Sequence, residues 1–559
     1  MKEKVITLLA KATNLNEKEL ANLVEIPPNS ELGDYAFPCF ILSKKLKKNP
    51  SEIASELAKK IPISEDIERI ESSGPYINFF VNSETLAKNA LNDIMEKKDK
   101  YGSQNLSQEK VMIEYSQANT HKAFHIGHVR GTALGESIAK ILEFCGNKTI
   151  RANYQGDTGM HVAKWIWCYK KYHPKEKLKK DESWIAGIYV EAVNKLAENA
   201  ELQQEVDEIN KKLDSKKDKK LNALWKATRK LSLDSLEPIY EELNTKFNYH
   251  FFESEMESRA KEIVKELVKK RIAKKSDEAI IVDLEKHNLG VWVLLRKDGT
   301  VLYSAKDLAL AEKKFKKYKI DKSIYVVGSA QNLHFYQLFK TLELMKFKQA
   351  KKCLYVPVTE IRLPEGKMSS RTGNNILYSS FKKELLEYAK SEIKNRETLP
   401  ETDLNKRAQA IAITNLKYAL LKQDVNKAIV FNKEEAMHFE GNTGSYLLYT
   451  YARARSILRK ANYIPNLKYL IEDISNYEKK LLLQLSNFPE IVLSAYNNLS
   501  PNLIANYSYN LSQIFNEFYH NEKVIGSDNE AFKLTLVHVF SQVLKNALSL
   551  LNIQALEQM

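Results

Sequence analysis

At 559 residues the chain is too long for one hydrophobic core, and two to four domains are expected. Its 43% hydrophobic and 10% aromatic content is that of a folded globular protein, and no apolar run approaches the ~20 residues a membrane helix requires. Lysine and arginine outnumber aspartate and glutamate by 86 to 71, a surplus of +15 that attracts polyanions; a Lys-rich surface is also simply well solvated, so charge alone does not decide for RNA.

The N-terminal run MKEKVITLLAKATNLNEKEL is broken by Lys11 and continues as an amphipathic helix, which is not the pattern of a signal peptide. Cys39, Cys145, Cys168 and Cys353 are scattered with no C-x-x-C pair, against a disulfide framework or zinc knuckle and in keeping with a reducing, cytoplasmic setting. Residues 1–105 read as an α/β unit: helical periodicity over Glu3–Leu23, the turn-rich ELGDYAFPCF, a helix from Pro50 to Ile61, then alternation in PYINFFVNS.

Lys110–Tyr115 reads as a short buried strand, and Val129–Phe144 as a helix stopped by Gly146. Between them Ser116–His128 is a strand-to-helix turn, a place where backbone N–H groups and the helix dipole stabilise phosphate. His125 and His128 are three apart and project from one side of the first turn, and Gly127 leaves room for close approach. With His121 they also have the spacing of a metal cluster, but no Cys or carboxylate stands at ligand spacing nearby; phosphate is the preferred reading and no metal ligand is assigned. The QGDTG turn after a strand at Lys148–Tyr154 is a second ligand-type turn.

Residues 165–275 read as a long helical insertion, with a charged stretch, ELQQEVDEINKKLDSKKDKK, given no chemistry. A hairpin of strands Val291–Leu295 and Thr300–Tyr303 around Asp298-Gly299 then leads to a helix at Ala305–Phe315, so that Tyr303 and Asp307 face one pocket. SIYVVGSAQNLHF supplies an apolar strand, a Gly328 turn, Gln331 and His334, as a doubly wound parallel sheet requires. The loop LPEGKMSSRTGN carries Lys367 and Arg371 for phosphates and is not a Walker loop, since Met368 stands where Ser or Thr should follow the lysine. From about residue 380 the chain is helical, and Tyr446, Tyr449 and Arg453 share one helix face, a core stripe or a base-stacking platform.

The segment EYSQANTHKAFHIGHVRGTALGESIAKILEFCGNKTIRANYQGDTGMH resembles the first signature region of class I aminoacyl-tRNA synthetases and, within them, arginyl-tRNA synthetases. The resemblance spans nearly the whole chain. It implies an α/β protein: a Rossmann-like parallel-sheet catalytic domain (106–379), an α/β N-terminal tRNA-binding domain (1–105) and an all-α C-terminal stem and anticodon-binding bundle (380–559). LPEGKMSSRTGN matches the Lys-Met-Ser-Lys-Ser loop with Ser370 in place of the second lysine, and the resemblance implies that Lys122 supplies that charge. It further implies ATP binding by His125, Gly127, His128, Lys367, Met368, Ser369 and Ser370, and arginine binding by Glu114, Asn119, Tyr303, Asp307 and Gln331. Tyr446, Tyr449, Arg453, Tyr76 and Asn78 become tRNA contacts; Gly33, Asp34, Tyr35 and Phe79 match the N-terminal domain, although Phe79 reads equally well as core.

The implied reaction joins L-arginine to tRNA(Arg) in two steps, ATP and Mg2+ first giving arginyl-adenylate and pyrophosphate, in a cytoplasmic monomer. Such chemistry needs no side-chain nucleophile; it rests on positioning and on charge stabilisation at phosphorus by His125, His128, Lys122 and Lys367. The rivals are a class I synthetase for another amino acid and a non-catalytic tRNA-binding relative.

Overall fold

The N-terminal unit is built on a three-stranded antiparallel sheet in which β1 (Tyr35–Pro38) and β2 (Ile67–Ser73) flank β3 (Tyr76–Val81). β3 is aromatic and β-branched, suited to the centre of a sheet, and both Asn78 and Phe79 are buried in it, at 4% and 0% exposure. Phe79 is therefore core, and Asn78 offers no side chain to a passing RNA. Gly33 turns into β1 at φ 106°, where a Cβ would stand 3.1 Å from the Phe79 carbonyl oxygen. The Asp34 carboxylate accepts the Val81 N–H at 2.7 Å and pairs with Lys479 Nζ at 2.9 Å, while the Tyr101 hydroxyl donates to the Leu485 carbonyl at 3.0 Å. Both partners lie in the C-terminal helices, so the first and last parts of the chain are locked together. The computed structural model describes residues 1–27, 29–363, 366–367, 376–465, 471 and 473–559, with the side chains of residues 30, 363, 366 and 367 outside that set.

The central sheet is five-stranded and all parallel. Its strands are β4 (Lys110–Glu114), β5 (Lys148–Gln155), β6 (Tyr249–Phe252), β7 (Lys322–Gly328) and β8 (Cys353–Val358), in the order β8-β7-β4-β5-β6. The chain steps outward from β4 to β5 and β6, then returns to lay β7 and β8 on the other side. The order reverses between β4 and β7, and the crevice at their carboxyl ends is where such sheets bind ligands. Residues 165–275, expected to be helical throughout, thus contribute the edge strand β6, a four-residue strand too short to show a period of its own.

Helix α1 (Ile126–Phe144) follows β4 and packs on the sheet through Gly135, where a Cβ would lie 2.1 Å from Tyr115 Cγ. Tyr115 is held in turn, its hydroxyl donating to Glu136, which also takes three bonds from Arg151 at 2.8–3.0 Å. Gly135→Ala should therefore destabilise the protein by about 1–3 kcal/mol through overpacking, read as a lower Tm; an unchanged Tm would show that Tyr115 yields freely. After α2 (Met160–Tyr172), α3 (Glu182–Glu198), α4 (Lys219–Glu242) and α5 (Glu253–Lys269), an antiparallel hairpin sheet leads into α6 (Tyr303–Tyr318). The second strand expected at Thr300–Tyr303 is reduced to a single bridge, Leu295 to Val301, and Tyr303 is already the first residue of the helix. Helix α7 (Asn332–Leu344) follows β7, and the C-terminal part is helical, including α8 (Gly444–Lys460) and α9 (Pro501–Asn521). Among the described residues no helix is long and apolar enough to cross a membrane.

Candidate active site

The turn between β4 and α1 is held in unusual backbone shapes. Ser116, Gln117 and His121 have φ of 76°, 50° and 62°, conformations that cost of order 1–3 kcal/mol each unless the surroundings enforce them. Here they are enforced: Asn153 Oδ1 accepts the Gln117 N–H, Ser232 Oγ accepts the His121 N–H, and Ser116 and Asn153 both bond to the Tyr240 hydroxyl. His121 is fully buried, with its ring nitrogens 2.9 Å from the hydroxyls of Thr120 and Thr228. It belongs to the turn's scaffold, not to a set of three histidine ligands.

His125 and His128 stack with ring centroids 3.8 Å apart at the N-terminus of α1. The Gly127 N–H donates to His125 Nδ1 at 3.1 Å, and the His125 N–H donates to His128 Nδ1 at 3.2 Å. Assigned from these bonds, both neutral rings carry their proton on Nε2, the nitrogen left to donate to a bound oxygen. Desolvation, reinforced by the Lys122 charge, lowers His125 from 6.5 to about 4, and desolvation with His125 and Lys122 lowers His128 well below its usual value. Both are thus neutral donors at pH 7. Gly127 is needed because a Cβ would meet the His125 ring at 2.9 Å; the space it leaves is filled by that ring.

Lys122 sits over the Tyr189 ring at 5.4 Å, and its charge reaches His125, His128 and the partly buried His161. Asn119 Oδ1 accepts the Gly156 N–H at 3.0 Å, tying the first turn to the second, so the group it has left is its amide NH2, a donor. Asp157 in the second turn is buried and bonded to Ser254 and Arg229, a structural knot. Lys367 lies in a two-residue strand at 366–367, with its side chain outside the described set, and Met368, Ser369 and Ser370 lie outside the described residues.

At the β4/β7 crevice, Glu114 ends β4 beside Tyr325 of β7. It is 3% exposed and pairs at 2.6 Å with Lys314 Nζ, itself wholly buried and 3.9 Å from the centre of the Tyr325 ring. Burial pushes the Glu114 carboxyl up, against the pull of Lys314 and with a push from Asp307. Asp307, two turns before Lys314 on α6, is held by His334 Nε2 at 2.6 Å through one oxygen; its other oxygen is buried with no partner among the described residues. Tyr303 is half exposed beside the His334 ring at 4.8 Å, and Gln331 is exposed at the start of α7. Lys314 escapes sequence reasoning because it is a single lysine on an apolar helix face, with no motif around it.

On α8 Tyr446 is partly buried, its hydroxyl accepting from Asn516 Nδ2 at 2.8 Å, and Arg453 donates to Asn516 Oδ1 at 2.7 Å. Tyr449, 43% exposed, and Tyr519 of α9 both lie under Arg453, at 4.8 and 5.3 Å from its guanidinium. Tyr449, Arg453 and Tyr519 thus form one cluster across α8 and α9. Tyr76 lies on the N-terminal sheet, edge-on to the exposed Phe40 at 5.8 Å, far along the chain from these groups.

A switch-point crevice in a parallel sheet, with His-Ile-Gly-His capping the helix after its central strand, defines a class I aminoacyl-tRNA synthetase. Residues 90–433 match the family "tRNA synthetases class I (R), catalytic domain", residues 447–559 the "DALR anticodon binding domain" and residues 1–81 the "Arginyl tRNA synthetase N terminal domain". The chain belongs to the arginyl-tRNA synthetase family. It is 37% identical to the arginine–tRNA ligase of Clostridium perfringens and 35% identical to that of Clostridium acetobutylicum, each match covering all of both chains. Among solved structures, that of Thermus thermophilus arginyl-tRNA synthetase is similar over the full length of both chains, with a TM-score of 0.84 at 25% identity.

Proposed function

We propose that this chain, an arginine–tRNA ligase by family, activates L-arginine with ATP and then passes it to a ribose hydroxyl of the 3′-terminal adenosine of tRNA(Arg). The observation that carries this reading is the pair of neutral, stacked imidazoles whose Nε2–H groups are left to donate at the helix N-terminus beside the switch-point crevice. Mg2+ carried on the ATP phosphates would supply further positive charge toward the departing pyrophosphate. His125 and His128 donate to the α-phosphate region as the arginine carboxylate attacks, and Lys122 and Lys367 add positive charge. Gly127, Met368, Ser369 and Ser370 complete the nucleotide contacts.

For arginine we assign Asp307 to the guanidinium, Tyr303 and Gln331 to its flanks, and the Asn119 amide to the carboxylate end. Glu114 acts one layer further back, its charge already met by Lys314. A monomer in the cytoplasm fits the family resemblance, and the four cysteines, all free and buried, are in keeping with a reducing compartment. Charging of total tRNA by the purified protein with MgATP, offering each labelled amino acid separately, tests the assignment. Incorporation of arginine alone is expected; charging with a different amino acid, or tRNA binding without charging, would overturn it.

The platform on α8 is assigned to tRNA. Tyr449→Ala should lower kcat/KM for tRNA by about 5- to 150-fold, the scale of 1–3 kcal/mol for a stacked base, while leaving the Kd for ATP unchanged. A weakened Kd for ATP would point to damage beyond the platform.

A further inference from the structure

The geometry points to a divalent transition-metal site of the zinc type on the helical insertion, with Cys168 Sγ, His173 Nε2 and a Glu191 carboxylate oxygen as ligands. Cys168 ends the buried face of α2, His173 follows directly after that helix, and Glu191 lies on α3. One ligand atom from each falls within 4.8 Å of the other two, a spread that a small shift closes to the edges of a metal tetrahedron with Zn–S near ~2.3 Å and Zn–N and Zn–O near ~2.0–2.2 Å. The donor set is a thiolate, an imidazole and a carboxylate; with a divalent cation it sums to zero charge, which suits a partly buried place.

The surroundings are arranged as they are around metal-bound histidines. His173 Nδ1 lies 2.8 Å from Glu176 Oε2, and Nε2 lies 2.8 Å from Glu191 Oε2. Glu176 is itself fixed, its other oxygen accepting from Trp184 Nε1 at 2.8 Å and Lys179 Nζ at 2.7 Å. A carboxylate that holds one ring nitrogen sets the tautomer and turns the other nitrogen toward the cation. The thiol ligates as thiolate, its proton leaving to solvent. Cys168 is wholly buried, whereas His173 and Glu191 keep 24% and 36% of their side-chain surface exposed, so a cation has a way in and a fourth position is open to water. The sequence hides this set because the three ligands are separated by four and seventeen intervening residues and no second cysteine marks them.

The consequence is a clamp between α2 and α3. Helix α3 touches the nucleotide turn, Glu182 accepting the Phe124 N–H at 2.7 Å and Tyr189 lying beneath Lys122. A cation at this place would therefore brace the insertion against that turn.

The test is titration of the purified, chelator-treated full-length protein with Co2+, read by absorption. Saturation at a single equivalent is expected, with a thiolate-to-cobalt charge-transfer band and tetrahedral d–d bands that Zn2+ then abolishes. Cys168→Ser should remove the charge-transfer band, and Glu176→Gln should weaken cobalt binding by about 10- to 100-fold. His173→Gln, expected to lose the same bands, guards against a serine variant that fails to fold. No thiolate band, or a band that persists in Cys168→Ser and in His173→Gln, overturns the site and leaves the cluster as an ion pair.

Discussion

Asp307→Ala should lower kcat/KM for arginine by roughly 10²-fold or more, mostly through KM. A guanidinium offers five donors and a permanent charge, and the group that meets it must be an acceptor with nothing else to satisfy. Asp307 has that character: one carboxylate oxygen is held by His334, and the other is buried with no partner among the described residues, a state that costs free energy until a ligand fills it. Removing one member of a buried charge pair costs 2–5 kcal/mol or more, which is about 30-fold to several thousand-fold. Asp307→Asn keeps the size and the His334 contact, so a similar loss in that variant would assign the effect to charge. His334→Ala should raise KM by less, because it acts only by orienting Asp307. Steady-state charging kinetics with varied arginine read all three; a kcat/KM within two-fold of wild type in Asp307→Ala would place the guanidinium elsewhere, with Glu114 the next candidate.

His125→Ala should lower kcat for charging by about 10²–10³-fold, the loss seen when one donor to developing charge is removed, with little change in the KM for arginine. The argument rests on protonation as much as on position. Nδ1 of each imidazole is occupied by a backbone N–H, so the donor is Nε2–H of a neutral ring. Because desolvation and Lys122 bring His125 down to about 4, the ring does not titrate around neutral pH. The rate should therefore show no inflection near the ordinary histidine value of 6.5. An inflection there that vanishes in His125→Ala would mean the imidazolium is the working form. The depressed value also carries a stability cost with a definite sign: as pH falls below 6.5 the unfolded chain takes up a proton that the folded ring refuses until about 4, so folding weakens across that window. The wild type should lose more stability than His125→Ala between those two pH values.

How far these assignments were legible beforehand depended on whether the signal was local. Lys110–Glu114, the glycine-bearing turn and α1 lie in one uninterrupted stretch, so strand, turn and helix could be read together with the His-Ile-Gly-His cap. Apolar SIYVV announced a second strand buried on both faces, and helical periodicity announced the C-terminal bundle. Tyr303 was displaced from strand to helix because a hairpin arm as short as Thr300–Val301 has no period to read. Asn78 looked like an exposed amide in an alternating strand, yet β3 is the central strand of its sheet and is covered on both sides.

By itself the amino-acid order determined the kind of elements, their sequence, and the one motif whose chemistry is contained in consecutive residues. The tertiary structure alone decided which charge answers which. Lys314 reaches Glu114 across 200 positions and His334 reaches Asp307 across 27, and those two pairings separate the carboxylate already neutralised from the one left to receive a guanidinium. Hydrophobic periodicity records that a face is buried but not what it is buried against, whereas the energy of a buried charge is set almost wholly by the neighbour that meets it.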